Sequence, residues 1–239
     1  MPKFFTGEIY EKTVRITGED AVHISKVLRS KQGDRFTVCD GRGTDYLCSL
    51  QTAGAEVILE ILEKRPCVAE PKLKLTLYQA LPKLDKMEMI IQKSVELGVN
   101  RIVPVMTERC VSRPSSESME RKIKRWQKIS ESAAKQSERG IIPKIEPMLT
   151  FKEAVSEAKD DDNALLFYER GGEKLSHLIS EGVESLSVII GSEGGFSPEE
   201  VEYAFAKGIK TATLGPRILR CETAPLAAVS IIMNLSGNM

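Results

Sequence analysis

Three glycines and three glutamates follow the apolar run Leu186–Ile190, in the segment GSEGGFSPEE that spans Gly191–Glu200. Ser197 and Glu200 fit a capping box with Pro198 at the first helical position, so the sequence predicts a strand, a glycine turn and a helix. Backbone N–H groups at such a turn can bind a polar or anionic ligand. We therefore predict a ligand site at this first loop.

A second glycine turn follows the predicted strand Lys210–Leu214, in the sequence LGPRILRCETAP. It is rich in polar groups, and these are Arg217, Arg220, Glu222 and Thr223. Thr223 with Pro225 can start the apolar helix that follows. Because ligands bind at the carboxyl ends of strands in α/β sheets, we expect the two loops to form one pocket.

Neither GxGxxG nor GxxxxGK[ST] is present, so a dinucleotide or P-loop site is not favoured. The 34 basic and 34 acidic residues cancel, so any surface for nucleic acid must be local. Five cysteines without a CxxC pair and two histidines predict no metal site. The N terminus has no apolar signal core and no run reaches the roughly twenty residues of a membrane span, so we expect a soluble cytoplasmic protein.

The 239 residues are enough for two modest domains. Residues 1–70 contain five short strand-like runs with one helix near Glu19–Ser30, which predicts a small β-barrel. Arg65–Pro71 is interpreted as a linker. In residues 71–239, strands alternate with helices, which predicts an α/β domain with a mostly parallel sheet.

Within this α/β domain, two of the predicted helices lie towards the C terminus. One is expected over residues 173–181, before the strand that leads to the first loop. The other, Ala224–Leu235, is apolar nearly all round, which indicates burial beyond its own domain. A subunit interface would bury this surface.

Five motifs in order resemble the SPOUT methyltransferases, most closely the branch that methylates N3 of a uridine in 16S ribosomal RNA of the small subunit. The motifs are HISKVLR, KLDKMEMIIQKSVELG, RW with AAKQSER, IGSEGGFSPEE and LGPRILRCETA. Ser192, where the family usually has proline, and Cys221 depart from the family pattern. The resemblance implies a PUA-like or OB-like RNA-binding barrel in residues 1–70. For residues 71–239 it implies an α/β-knot methyltransferase domain with a trefoil knot, in a homodimer.

The resemblance also implies S-adenosylmethionine as the cofactor. The residues expected to contact it are Gly191, Glu193, Gly194, Gly195, Leu214, Leu219, Thr223 and Ala224. Arg220 is expected to orient or stabilise the uracil anion, and Glu222 to hold an arginine or transfer a proton. The alternative is that these two form a structural ion pair, and that Glu193 only complements the dipole of the following helix.

A local basic patch is expected to hold the RNA. Residues 121–128 contain five cations and no acid around Trp126. Its helical spacing with Met119 and Ile123 favours a core position for the tryptophan, and the cations face solvent. Together with matches to the family motifs, the expected RNA contacts are Arg29, Lys83, Lys86, Arg121, Lys124, Arg125 and Arg217.

The leading hypothesis is therefore an S-adenosylmethionine-dependent uridine-N3 methyltransferase of 16S rRNA, acting on the assembled small subunit. One alternative within the enzyme class is ribose 2′-O methylation of tRNA or rRNA, because the GSE form of the first loop also resembles that branch. An alternative of another class is a non-catalytic RNA-binding assembly factor, which would bind RNA without the cofactor.

Overall fold

The computed structural model describes residues 3–161 and 163–239, which divide into two compact units. The first unit is Met1–Glu70 with Ala134–Ile142, and the second is Pro71–Ala133 with Pro143–Met239. From the sequence, every residue after 70 is predicted to belong to the second domain. In the structure, the Glu70 carboxylate accepts hydrogen bonds from the backbone N–H groups of Gly140 and Ile141 at 2.8 and 2.9 Å, which places that segment in the first unit.

The first unit is a five-stranded sheet curled into a half-barrel, in the order β1-β3-β4-β5-β2. Its strands are β1 (Lys3–Phe5), β2 (Thr13–Ile16), β3 (Arg35–Cys39), β4 (Thr44–Thr52) and β5 (Val57–Pro66). Helix α1 (Gly18–Val22) continues into a π-helical turn, His23–Val27, in the region predicted to be helical. Apolar residues at alternate strand positions, such as Phe36 and Leu59, form its core with Ile24.

The prediction that Arg65 and Pro66 belong to a linker is wrong, since both lie in β5. Arg65 pairs with Asp45 and Pro66 with Thr44 of β4. Strand β2 pairs only with Val57–Glu60, so the later part of β5 has no partner strand on its other side within the described residues. Proline is tolerated there because its missing N–H faces an unpaired edge.

The second unit is an eight-stranded parallel sheet with helices. The strands are β6 (Lys74–Ala80), β7 (Arg101–Met106), β8 (Lys144–Ile145), β9 (Leu149–Thr150), β10 (Asn163–Phe167), β11 (Glu173–Lys174), β12 (Ser185–Ile190) and β13 (Lys210–Thr213). The helices are α2 (Lys86–Glu96), α3 (Ser116–Gln136, whose last three residues belong to the first unit), α4 (Phe151–Ala158), α5 (Leu175–Leu178), α6 (Pro198–Ala206) and α7 (Thr223–Leu235). The order is β11-β13-β10-β12-β6-β7-β8, with β9 also pairing β7, and every pair is parallel. The predicted α/β fold with a parallel sheet is confirmed.

The helix predicted over residues 173–181 is wrong in extent, because residues 173 and 174 form strand β11 and α5 has only four residues. Gly172 explains the difference. Its φ is +149°, and a Cβ there would lie 2.7 Å from the backbone carbon of Ala212. Only glycine allows this close approach, which brings the chain alongside β13.

Helix α7 is the last helix, and it packs against α2. Its buried residues are Pro225, Ala228, Val229, Ile232 and Met233. Ile231 on another face is 41% exposed. Among residues 3–161 and 163–239, none of the helices combines the length and the apolar character that a membrane crossing requires.

Candidate active site

Three neighbouring strands end side by side at the edge of the sheet that carries both predicted loops. Phe167, the last residue of β10, pairs with Ile190 of β12 on one side and with Ala212 of β13 on the other. The two glycine loops therefore flank a third strand end, because β12 and β13 follow one another in sequence but are separated by β10 in the sheet.

A cavity of about 530 Å³ opens between these strand ends, which is within the usual range for a small-molecule site. It is lined by Gly191–Phe196 of the first loop (residues 191–197), by Leu214–Cys221 of the second loop (residues 214–222) and by the end of β10. Of the residues predicted for catalysis, cofactor or RNA, those that line it are Lys86, Gly191, Glu193, Gly194, Gly195, Leu214, Arg217, Leu219, Arg220 and Ala224. The loops thus form one pocket, as predicted.

Several lining residues were not singled out by the sequence analysis. Tyr168 and Glu169 follow β10, and Phe196 and Ile218 lie within the two loops. Glu169 could have been found by treating the end of every strand of the sheet as a candidate position. The apolar residues carry no such signal, because most hydrophobic side chains near strand ends belong to the core.

The first loop is held tightly by its neighbours. Gly195 has a φ of +66°, and its N–H donates to the carbonyl of Ser192 at 3.0 Å. A Cβ on Gly194 would lie 2.8 Å from the Cβ of Arg109, whose guanidinium donates to the Gly194 carbonyl at 3.2 Å. The buried Gln79 amide donates to the carbonyl of Gly191 at 3.3 Å. The turn therefore favours glycine at position 195, and the close contact with Arg109 favours glycine at position 194.

The predicted capping box at the start of α6 is confirmed. The Ser197 hydroxyl accepts from the Glu200 N–H, and the Glu200 carboxylate accepts from the Ser197 N–H at 3.0 Å. The same carboxylate accepts from the N–H of Glu108 at 2.9 Å. Glu200 thus fixes the first loop and the segment after β7 together.

Glu193 has hydrogen-bond partners in the segment that begins α2. Its carboxylate accepts from the backbone N–H of Lys83 at 3.2 and 3.3 Å and from the ammonium of Lys86 at 3.0 Å. Burial opposes its ionisation, but hydrogen bonds from its own N–H, from Lys86 and from Lys83 outweigh burial and lower its pKa. These contacts link the first loop to the segment that begins α2.

Among the residues that the structure describes, Glu222 forms an ion pair with Lys86 at 3.0 Å and with no arginine. The hydrogen bond from Lys86, followed by one from the Cys221 thiol, lowers the pKa of Glu222 to about 2. Burial raises the pKa of Cys221 to about 12, so this thiol stays protonated and donates to Glu222 at 3.2 Å. Glu222 is an ionised and weakly basic carboxylate at neutral pH.

Arg217 and Arg220 are exposed and line the cavity. In the described part of the chain, neither guanidinium forms a hydrogen bond or an ion pair, and the proposed Arg220–Glu222 ion pair is not formed. Both positive charges are thus available to a ligand at the cavity mouth.

Thr223 was predicted to start the last helix and to contact the cofactor, and its position in the structure is different. It is the first residue of α7 and Glu222 occupies the N-cap position, without a side-chain capping bond. Thr223 is exposed and does not line the cavity, whereas the next residue, Ala224, does. The helix start is instead fixed by the N–H groups of both residues, which donate to the carbonyl of Arg220 at 2.9 Å.

The predicted basic residues of α3 lie on its solvent face. Arg121, Lys124 and Arg125 are exposed, whereas Trp126 is 4% exposed and belongs to the core, as its helical spacing indicated. Arg125 forms an ion pair at 2.8 Å with Glu88 of α2, and Glu88 is two residues after Lys86. The structure therefore places this face of α3 beside α2, and Lys83 is exposed just before that helix.

Arg29 belongs to the first unit. It is exposed, follows the π-helical turn and has a φ of +52°. Over residues 3–161 and 163–239, no cluster of three or more histidine, cysteine, aspartate or glutamate side chains has the geometry to hold a metal ion.

Two family models match the chain, and together they define its class. The model described as an RNA methyltransferase domain matches residues 69–233, and the model described as an RNA methyltransferase PUA domain matches residues 16–62. The parallel sheet with its cavity thus corresponds to the methyltransferase domain, and the half-barrel to the PUA domain. The fold and the site are those of an RNA methyltransferase.

Comparison with individual proteins identifies a specific family of RNA methyltransferases. The chain is 35% identical to ribosomal RNA small subunit methyltransferase E of Bacillus subtilis (strain 168), over 92% of this chain and 89% of that protein. It is 36% identical to the protein of the same name from Mesomycoplasma hyopneumoniae (strain 232), over 95% and 96%. The crystal structure of the Neisseria gonorrhoeae protein of that name, bound to S-adenosyl methionine, has a TM-score of 0.86 at 34% identity, covering 99% and 98%. The chain belongs to the ribosomal RNA small subunit methyltransferase E family.

Proposed function

We propose that this enzyme transfers a methyl group from S-adenosylmethionine to N3 of one uridine in 16S rRNA, within the assembled small subunit in the cytoplasm. The observation that carries the proposal is the cavity between the two glycine loops, whose lining includes Arg217 and Arg220, neither of them paired within the described residues. The names of the relatives and the cofactor bound in the Neisseria gonorrhoeae structure support it.

The residues of the cavity suit the cofactor. Gly191, Gly194 and Gly195 offer backbone groups, and Leu214 and Leu219 offer apolar surface. The Ser192 hydroxyl is buried in the same lining and, within the described residues, has no hydrogen-bond partner. A buried polar atom without a partner is costly, so a polar group of a ligand would stabilise it.

The bound cofactor would supply a methyl group already activated on a sulfonium. The protein then has to align the acceptor atom and exclude water. N3 of uridine must lose its proton before attack, and a guanidinium close to the ring stabilises the resulting anion. We assign this role to Arg220. Glu222, with a pKa of about 2, is a poor acceptor for that proton, so we assign it a positioning role.

Cations outside the cavity would hold the RNA. Lys83, Arg121 and Lys124 are exposed and suited to phosphate contacts. Arg125 retains 67% exposure of its side chain beside Glu88. In the first unit, Arg29 is exposed, and the PUA domain match supports RNA contacts there. We do not include Lys86 among the RNA contacts, because its ammonium is paired with the carboxylates of Glu193 and Glu222.

We also propose a homodimer with a trefoil-knotted methyltransferase domain, which the family resemblance implies. The exposed face of α7 supports the dimer, because the apolar side chain of Ile231 remains 41% exposed there. A second copy of the chain would bury this side chain.

The test is to incubate the purified protein with methyl-labelled S-adenosylmethionine and small subunits from cells that lack the enzyme. Mass spectrometry of the nucleosides then identifies the product. Label in 3-methyluridine is the expected result, with free 16S rRNA labelled more slowly than subunits. Label in a 2′-O-methylated nucleoside would assign the chain to ribose methylation, and RNA binding without label would indicate a non-catalytic assembly factor.

A further inference from the structure

Lys86 connects the two loops of the active site. Its ammonium lies 3.0 Å from a carboxylate oxygen of Glu193, in the first loop, and 3.0 Å from one of Glu222, in the second. We propose that Lys86 is a positioning residue that fixes the two loops relative to each other and so preorganises the cofactor cavity. This inference rests on the proposed function, because it assigns Lys86 a role in the same site.

The contacts of Lys86 are specific to its position. It is the first residue of α2, and its ammonium also lies 3.7 Å from the sulfur of Cys221. Glu193 is held by the same segment a second time, through the N–H of Lys83. One residue of the 83–86 segment therefore contacts both loops, although the loops are more than 100 positions away in sequence.

The two ion pairs are partly shielded from water. The side chains of Lys86 and Glu193 are each 27% exposed, and that of Glu222 is 17% exposed. Glu222, followed by Glu193, raises the pKa of Lys86, so the ammonium remains charged. Pairs with this degree of shielding are screened less by salt than fully exposed ones.

The charge of the cluster argues against the RNA contact that the sequence analysis assigned to Lys86. One ammonium and two carboxylates have a net charge of −1, so the cluster as a whole repels a phosphate. Two carboxylates already lie 3.0 Å from the ammonium of Lys86, so a phosphate that approached it would also meet their negative charges. The geometry favours a role inside the site, with phosphate contacts left to neighbours such as Lys83.

Three variants test this role: Lys86→Met removes both ion pairs, Lys86→Arg keeps the charge, and Lys93→Met is the matched control. Lys93 lies on the same helix and pairs with Glu96 at 2.9 Å, away from the cavity lining. Calorimetry measures S-adenosylmethionine affinity, and steady-state kinetics measure kcat and the KM for small subunits. We expect Lys86→Met to weaken cofactor affinity about three- to tenfold, the loss typical of one or two such pairs, without changing the KM for subunits. Lys86→Arg should recover most of the affinity, and Lys93→Met should keep it.

Hydrogen exchange gives a readout that needs neither cofactor nor RNA. Lys86→Met should speed amide exchange in both loops, residues 191–197 and 214–222, while Lys93→Met leaves both at the wild-type rate. Unchanged exchange in either loop would overturn the proposal. So would a raised KM for subunits with a shallower salt dependence and wild-type cofactor affinity, since that pattern belongs to a phosphate contact.

The two proposals fail separately. If the wild-type protein methylates nothing, the proposed function is wrong, whereas the exchange measurement still decides whether Lys86 fixes the loops. If methylation proceeds and all Lys86 variants match wild type in affinity and exchange, the positioning role is wrong and the proposed function stands.

Discussion

Gly194 lies against Arg109 so closely that a Cβ on the glycine would be 2.8 Å from the Cβ of the arginine and 3.1 Å from its carbonyl oxygen. Neither atom belongs to the flexible end of a side chain. We predict that Gly194→Ala displaces the first loop, lowers the free energy of unfolding by about 1–3 kcal/mol and weakens cofactor binding at least tenfold. Denaturant unfolding and calorimetry measure the two effects. Gly7→Ala is the control, because a Cβ there meets nothing within 4 Å. Equal stability of both variants would contradict the prediction.

The paired carboxylate of Glu222 predicts a specific acid sensitivity. Its pKa of about 2 in the folded protein is below the ordinary value of 4.5, so its ionisation stabilises the fold above that ordinary value. This stabilisation is lost as the pH falls from about 4.5 towards 2. Glu222→Gln should therefore be less stable than wild type at pH 7 and converge with it at low pH. Urea unfolding at several pH values measures the convergence, and Glu117→Gln, at an exposed pair in α3, is the control.

The same pKa predicts the pH dependence of catalysis. Because Glu222 is ionised well below neutral pH, its titration should produce no inflection in the kcat profile between pH 5 and 9. Glu222→Gln should lower kcat and leave the shape of the profile unchanged. If Glu222 were the proton acceptor, the variant would instead lose a pH-dependent limb that the wild type shows.

The sequence predicts the local parts of this site well, since their causes lie within a few residues. The capping box of Ser197 and Glu200 and the core position of Trp126 each depend on spacing within one or two helical turns. The parallel sheet follows from alternation of strands and helices. The resemblance to the family depends on five motifs in a fixed order. The periodicity of apolar residues does not reveal such motifs.

Long-range relationships in the site could not be predicted in this way. The position of β10 between β12 and β13 depends on the order of the strands in the sheet. Because β10 lies there, Glu169, which follows it, lines the cavity. The double pairing of Lys86 depends on three segments that meet only after folding. The RNA contact predicted for Lys86 came from the family resemblance, because charge and helical position alone indicate an ordinary amphipathic surface. The same reason explains Glu222, whose partner proved to be a lysine from α2 and not a nearby arginine.

Arg220 and Arg217 should have separable roles. Arg220→Met removes the charge proposed to stabilise the uracil anion, so kcat should fall about 10²–10³-fold, with cofactor affinity within about threefold of wild type. Arg217→Met, at the other unpaired arginine of the loop, should raise the KM for subunits and leave kcat nearly unchanged. Single-turnover methylation under saturating cofactor separates the two parameters. A variant at position 220 with normal kcat and a raised KM would move Arg220 to the RNA-binding set.

Lys124 on the solvent face of α3 offers the most direct test of the RNA surface. The side chain is exposed, so Lys124→Met should remove a phosphate contact without affecting the cavity. Affinity for small subunits should fall, and the slope of its logarithm against the logarithm of salt concentration should decrease by about one. Binding titrations at several salt concentrations measure this slope. Lys210→Met is the control, because Lys210 is exposed at the start of β13, whereas the cavity lies at the carboxyl end of that strand. An unchanged slope for Lys124→Met, with the affinity of both variants equal to wild type, would place the RNA on another surface of the enzyme.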